Sequence, residues 1–107
     1  MVVCSIVYPN QPAARFDFDY YLGKHIPLVT GVLSAHPGYR GTRVEKGLTG
    51  SPPGTPAAYL AMCHFAFDTI ESYRAALLPR AEEVRRDIAN YTNVVPAVQF
   101  SDVVVDQ

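Results

Sequence analysis

His25 is the residue in this chain best placed to move a proton. An imidazole with an ordinary pKa near 6.5 can act as acid or base around neutrality. At 100° per residue it falls at the centre of an apolar arc formed by Phe18, Tyr21, Leu22, Leu28, Val29, Val32 and Leu33. Two readings of such a histidine stand open. It is either a general acid–base or a core side chain satisfied by a backbone carbonyl freed near Pro27. Asp87 and Tyr91 are four residues apart on a second helical pattern and so are neighbours. This carboxylate and phenol could orient His25 or a substrate, or simply bond to each other. His25 and Asp87 are therefore the catalytic candidates. Tyr21, which shares the His25 face, joins Asn90 and Tyr91 as a substrate-binding candidate. Tyr20 points about 100° away from Tyr21, which places it at a rim or interface.

Other constellations are weaker. Cys63 and His64 are consecutive in a strand-like run and point to opposite faces, so they cannot chelate together. His25 and His36 share a helical face but lie about 16 Å apart along it, too far for one ion. Gly50, Pro52, Pro53 and Gly54 match neither a dinucleotide-binding loop nor a phosphate loop. The expectation is chemistry with no metal and no cofactor.

The elements that must position these groups can be read in order. Met1 to Tyr8 is apolar and β-branched, and Pro9-Asn10-Gln11-Pro12 stops it, as in a buried strand closed by a turn. Asp17 is placed as an N-cap, and a helix follows to about Ala35. Pro27 lacks the N–H that would reach the Gly23 carbonyl, which predicts a kink or a helix in two segments next to His25. Arg40 to Leu48 reads as a strand, and Thr49 to Pro56, with three prolines and two glycines, as a loop. Ala58 to Asp68 is apolar on both alternations, so both sheet faces need cover. Asp68-Thr69 opens a second helix, interrupted at Pro79 and resumed from Ala81. Val94 to Val105 is the last strand.

The order βαββαβ predicts an α+β, ferredoxin-like sandwich with two helices on one face of a four-stranded antiparallel sheet. Residues 1–107 form one domain, since 107 residues leave no room for a second core. The sheet face away from the helices is expected to bury against a second copy, giving a homodimer. Nine Lys plus Arg against ten Asp plus Glu, with no basic run longer than Arg85-Arg86, exclude a nucleic-acid partner. No apolar stretch approaches membrane-spanning length, and no leader pattern is seen, so a cytoplasmic protein without a membrane partner is expected. Cys4 and Cys63, in apolar runs, are expected to be free thiols.

Four stretches resemble the ethyl tert-butyl ether degradation (EthD) family. Tyr8-Pro9 is followed by Phe16-Asp17, Asp19-Tyr20-Tyr21 and His25-Ile26-Pro27-Leu28-Val29. Lys46-Gly47-Leu48 comes next, then Tyr59 with Phe65 and Phe67, then Asp87-Ile88, Asn90-Tyr91-Thr92, Pro96 and Gln99. The resemblance implies a dimeric α+β barrel and a small protein of xenobiotic catabolism, and it adds Gln99 to the substrate-binding candidates. Some relatives isomerise muconolactones, others dehydrate or cyclise polyketides, and the founding members accompany an ether-cleaving cytochrome P450. Two functions follow. One is binding of a hydrophobic lactone, phenol or quinone in a helix–sheet cleft, with cofactor-free isomerase, cyclase or dehydratase chemistry at His25. The other is a non-catalytic accessory to an oxygenase partner.

Overall fold

A computed structural model describes residues 1–107. Strand β1 (Val2–Pro9) leads into α1 (Phe18–Tyr20), a π-helical turn (Tyr21–His25) and α2 (Ile26–Ser34), which together form one helical run. Strands β2 (Tyr39–Lys46) and β3 (Tyr59–Phe67) follow, then α3 (Ile70–Leu77) and a 3-10 turn at Leu78–Arg80. α4 (Ala81–Asp87), a second 3-10 turn at Ile88–Asn90 and β4 (Ala97–Asp102) complete the chain. The sheet order is β2-β3-β1-β4 with every pair antiparallel. This is the expected ferredoxin-like α+β sandwich. No helix is long and apolar enough to cross a membrane.

Local chemistry accounts for the boundaries. Asp17 caps α1 through its side chain, which accepts from the Tyr20 N–H, and Thr69 caps α3 by accepting from the Ser72 N–H. The register of β2 against β3 shifts between Tyr39 and Gly41, where φ of +145° suits glycine. β4 is shorter than the Val94–Val105 strand expected. Val94 is buried but belongs to the preceding turn, Pro96 has no N–H to give a ladder, and β4 pairs only with Val2–Val7 of β1.

β3 alternates cleanly. Ala61, Cys63, Phe65 and Phe67 are at most 2% exposed against the helices, while Met62, His64 and Ala66 on the other face are half-buried. One core cluster gathers Cys4, Val29, Leu33, Phe65, Phe67 and Tyr73, and a second gathers Tyr8, Tyr21, Ala61, Tyr91 and Val94. The outer face is less apolar than the sequence pattern suggests. Across it Ser5 Oγ lies 2.8 Å from His64 Nδ1, and His64 Nε2 lies 3.2 Å from Glu45 Oε1.

Candidate active site

The helix defect expected at Gly23 and Pro27 is the π-helical turn, which ends at His25. Inserting this wider turn changes the phase of the arc read at 100° per residue. Tyr21 and His25 point inward, only 1% and 5% exposed, whereas Leu22, expected on the buried face, is 50% exposed. A segment pairing then brings the second helical region to the first. Phe16 bridges Thr92, the Asp17 N–H donates to the Tyr91 carbonyl, and Thr92 Oγ1 donates to the Arg15 carbonyl. The start of α1 is thereby tied to the end of the α4 region, and Asp87 is set opposite His25.

His25 Nδ1 lies 2.9 Å from Asp87 Oδ2. The other carboxylate oxygen, Oδ1, accepts from the Tyr20 hydroxyl at 2.6 Å and from Asn90 Nδ2 at 3.0 Å. For Asp87, burial alone would raise the carboxyl pKa, but the bonds from Tyr20, Asn90 and His25 outweigh it and hold the group below its usual value. For His25, burial lowers the imidazole pKa and the neighbouring carboxylate only partly restores it. Both directions are consistent with neutral imidazole bonded to carboxylate, rather than with a full ion pair. Nδ1–H is then donated to Asp87, and Nε2, which has no partner in the chain, carries the lone pair.

A partly enclosed cavity of about 50 Å³ lies between this helical layer and the sheet, lined by His25, Tyr21, Tyr8, Cys63 and a ring of aliphatic and aromatic side chains including Ile26 and Phe65. The Tyr21 hydroxyl is buried without a hydrogen-bond partner. The Cys63 thiol is close enough to perturb it but does not bond to it in hydrogen-bond geometry. Burial pushes the phenols up: Tyr8 to about 12, and Tyr21 and Tyr91 further, so all three stay protonated. The Tyr21 ring stacks on His25 with centroids 5.9 Å apart and planes 15° apart, and Tyr91 lies 4.6 Å from His25 centroid to centroid.

The structure thus brings His25, Asp87, Tyr21, Asn90 and Tyr91 together, with different parts to play. Asn90 is on the exposed side of Asp87, outside the cavity. Tyr91 does not bond Asp87; its hydroxyl lies 2.5 Å from that of Tyr8. Gln99 is apart from the group. It pairs with Ser5 in the β1–β4 ladder, on the sheet face away from the helices, and its Nε2 donates to Ser101 Oγ. Tyr20, half-buried where the sequence reading puts a rim, holds Asp87 through its hydroxyl. Tyr8 and Cys63, outside the candidate set, also line the cavity, and the inward alternation Cys4, Ile6, Tyr8 in β1 marks Tyr8. No group of three or more His, Cys, Asp or Glu side chains is arranged to hold a metal ion.

A four-stranded antiparallel sheet, two helical runs on one face and a part-buried Asp–His pair in which the imidazole faces the core define a ferredoxin-like α+β protein. The chain matches the EthD domain over residues 11–94 and belongs to that family. An EthD-like protein from Ralstonia eutropha JMP134 is 42% identical, with a TM-score of 0.88 and 99% of this chain and 94% of that one covered. An ethyl tert-butyl ether degradation family protein from Bacillus halodurans C-125 is 21% identical, with a TM-score of 0.68 over 95% and 98% of the two chains. SnoaB, a cofactor-independent oxygenase from Streptomyces nogalater, shares the fold at 8% identity, with a TM-score of 0.61 over 98% and 92%. Among curated proteins none matches the chain.

Proposed function

We propose that this chain binds a hydrophobic small molecule of lactone, phenol or quinone type between its helices and sheet, and that His25 transfers a proton on it without a cofactor. The Asp87–His25 bond beside the unpartnered Tyr21 hydroxyl at a partly enclosed cavity carries this reading. Asp87 fixes the tautomer, so Nε2 is the base. It removes a proton from carbon or oxygen of the ligand, and the imidazolium formed is stabilised by the carboxylate. Tyr21 donates to the oxygen on which negative charge develops. Returning the same proton to a different atom completes an isomerisation, and returning it to a departing hydroxyl completes a dehydration.

The functional unit is a homodimer closed through the outer sheet face. A compact monomer of 11.8 kDa exposes about 5,900 Å², whereas this chain exposes 6699 Å² and is a slab of 41 × 34 × 19 Å. One uncovered sheet face accounts for such a shape, and half-buried Val3, Val7, Met62 and Ala66 lie on it.

The test is transfer of deuterium from solvent into enolisable lactones and ketones. Wild type should catalyse it and His25→Ala should lose about a hundredfold of the rate while remaining folded. The small cavity favours a second reading, a non-catalytic accessory of an oxygenase, and absence of exchange with all ligands that bind would select it.

A further inference from the structure

The cavity's unspent hydrogen-bonding groups describe what it takes. Tyr21 presents an O–H with no acceptor. Tyr8 and Tyr91 together own two hydroxyl protons, and their mutual bond at 2.5 Å uses one. Either hydroxyl can be the donor in that bond, and of the two residues Tyr8 lines the cavity and Tyr91 does not. His25 Nε2 adds one acceptor. The lining thus offers the Tyr21 O–H and the His25 imidazole, with the Cys63 thiol and the Tyr73 and Tyr8 phenols as its other polar groups, among aliphatic and aromatic side chains.

Charge narrows the ligand further. No Lys or Arg lines the cavity, and the Asp87 carboxylate lies 2.9 Å from the imidazole that does. An anionic ligand entering here would lose its hydration, gain no cation and face a like charge. A neutral carbonyl oxygen accepts the unpartnered Tyr21 proton without that cost.

We infer that the site selects a neutral hydroxy-carbonyl or enolisable carbonyl compound, and rejects carboxylic acids of the same shape. The carbonyl oxygen accepts from Tyr21, and the acidic O–H or C–H faces the His25 imidazole. This rests on the proposal that the cavity is the ligand site, and it separates members of the hydrophobic class that the proposal leaves together. At about 50 Å³ the cavity is smaller than the 150 Å³ or so that encloses benzene in a protein interior. An aromatic ligand therefore enters only if the wall gives. The wall best able to do so carries Val84 and Ile88: α4 has no buried residue and is flanked by 3-10 turns on both sides.

The matched probes are 2′-hydroxyacetophenone and salicylate, which share ring, hydroxyl and carbonyl and differ in charge. Binding to the whole protein at pH 7.5 is followed by NMR, with the His25 and Tyr21 side-chain resonances as site reporters. The neutral probe should bind at least about tenfold more tightly, and Tyr21→Phe should weaken it about tenfold through loss of one hydrogen bond. Salicylate binding as tightly at those resonances overturns the inference and leaves the cavity as the ligand site. An undiminished affinity in a folded Tyr21→Phe protein also overturns it. If neither probe moves the His25 or Tyr21 signals at millimolar concentration, both the inference and the cavity reading fall.

Discussion

His25 Nδ1 and Asp87 Oδ2 meet at 2.9 Å although 62 positions separate them in the chain, one at the end of a π-helical turn and the other at the end of α4. The contact sits on the inner side of the helical layer, where His25 is almost fully buried. Asp87 keeps some access to solvent, with its side chain 14% exposed. Solvent access on the carboxylate side and apolar surroundings on the imidazole side give the pair a direction: the charged end lies toward the outside and the imidazole toward the cavity it lines.

His25 should titrate below the free-histidine value in the folded protein, because burial outweighs the carboxylate's attraction. The unfolded chain then takes up the proton first. Stability from neutral His25 is complete above the unfolded pKa near 6.5 and is lost as pH falls through the native value. Asp87, held below its ordinary value, adds a second loss at lower pH as the native carboxylate is protonated. Asp87→Asn removes the carboxylate that raises the imidazole pKa and should move the His25 titration lower still. Imidazole ¹⁵N shifts across a pH series measure both. A native His25 titrating above 6.5 would replace the neutral-imidazole picture with an ion pair.

Tyr20→Phe should leave the fold intact and reduce turnover by about tenfold through kcat, with KM little changed, because the lost hydroxyl holds Asp87 rather than the ligand. The pH–rate profile should shift along with the His25 titration. An unchanged profile with lower thermal stability would make Tyr20 structural.

Much of this arrangement is legible in the sequence, and the part that is not has a definable cause. His25 on the buried arc, the defect marked by Gly23 and Pro27, and the Asp87–Asn90–Tyr91 cluster follow from helical spacing and proline stereochemistry. Leu22 leaves the buried arc because a π-helical turn resets the helical phase, and no residue pattern reports how far. The Tyr8–Tyr91 bond joins groups 83 positions apart. Local periodicity can show that both rings are buried but not that they meet. Gln99 entered through family resemblance, and its sheet face depends on the β4 register, which the six-residue pairing with β1 decides.

Sedimentation at micromolar concentration should give twice the chain mass of 11.8 kDa. Met62→Glu places a charge among half-buried side chains of the outer face and should shift the species to monomer. A wild-type monomer under these conditions would remove the barrel arrangement.

Cys4 and Cys63 are 1% and 2% exposed, and burial pushes the Cys63 thiol up to about 12. Aromatic disulfide reagents should therefore find almost no reactive thiol in the native protein and two per chain after denaturation. Rapid native modification of one thiol would show that the cavity beside Cys63 opens readily to solvent.

Ala13 has φ of +61°, a left-handed conformation costing an alanine about 1 kcal/mol. Asn93 clamps the turn: its Oδ1 accepts from the Arg15 N–H at 2.8 Å, and its Nδ2 donates to the Ala13 carbonyl at 3.1 Å. Both contacts extend the segment pairing that sets α1 against the α4 region. Ala13→Gly should therefore raise stability by about 1 kcal/mol, or about 4 °C in Tm, without altering the His25 titration. Asn93→Ala should lower stability and also loosen the His25–Asp87 contact, broadening the imidazole signals. The pair of variants separates backbone strain from site geometry. If Asn93→Ala destabilises the protein but leaves the His25 signals sharp, the clamp stabilises the loop alone, and Asp87 is positioned by Tyr20 and Asn90 without it.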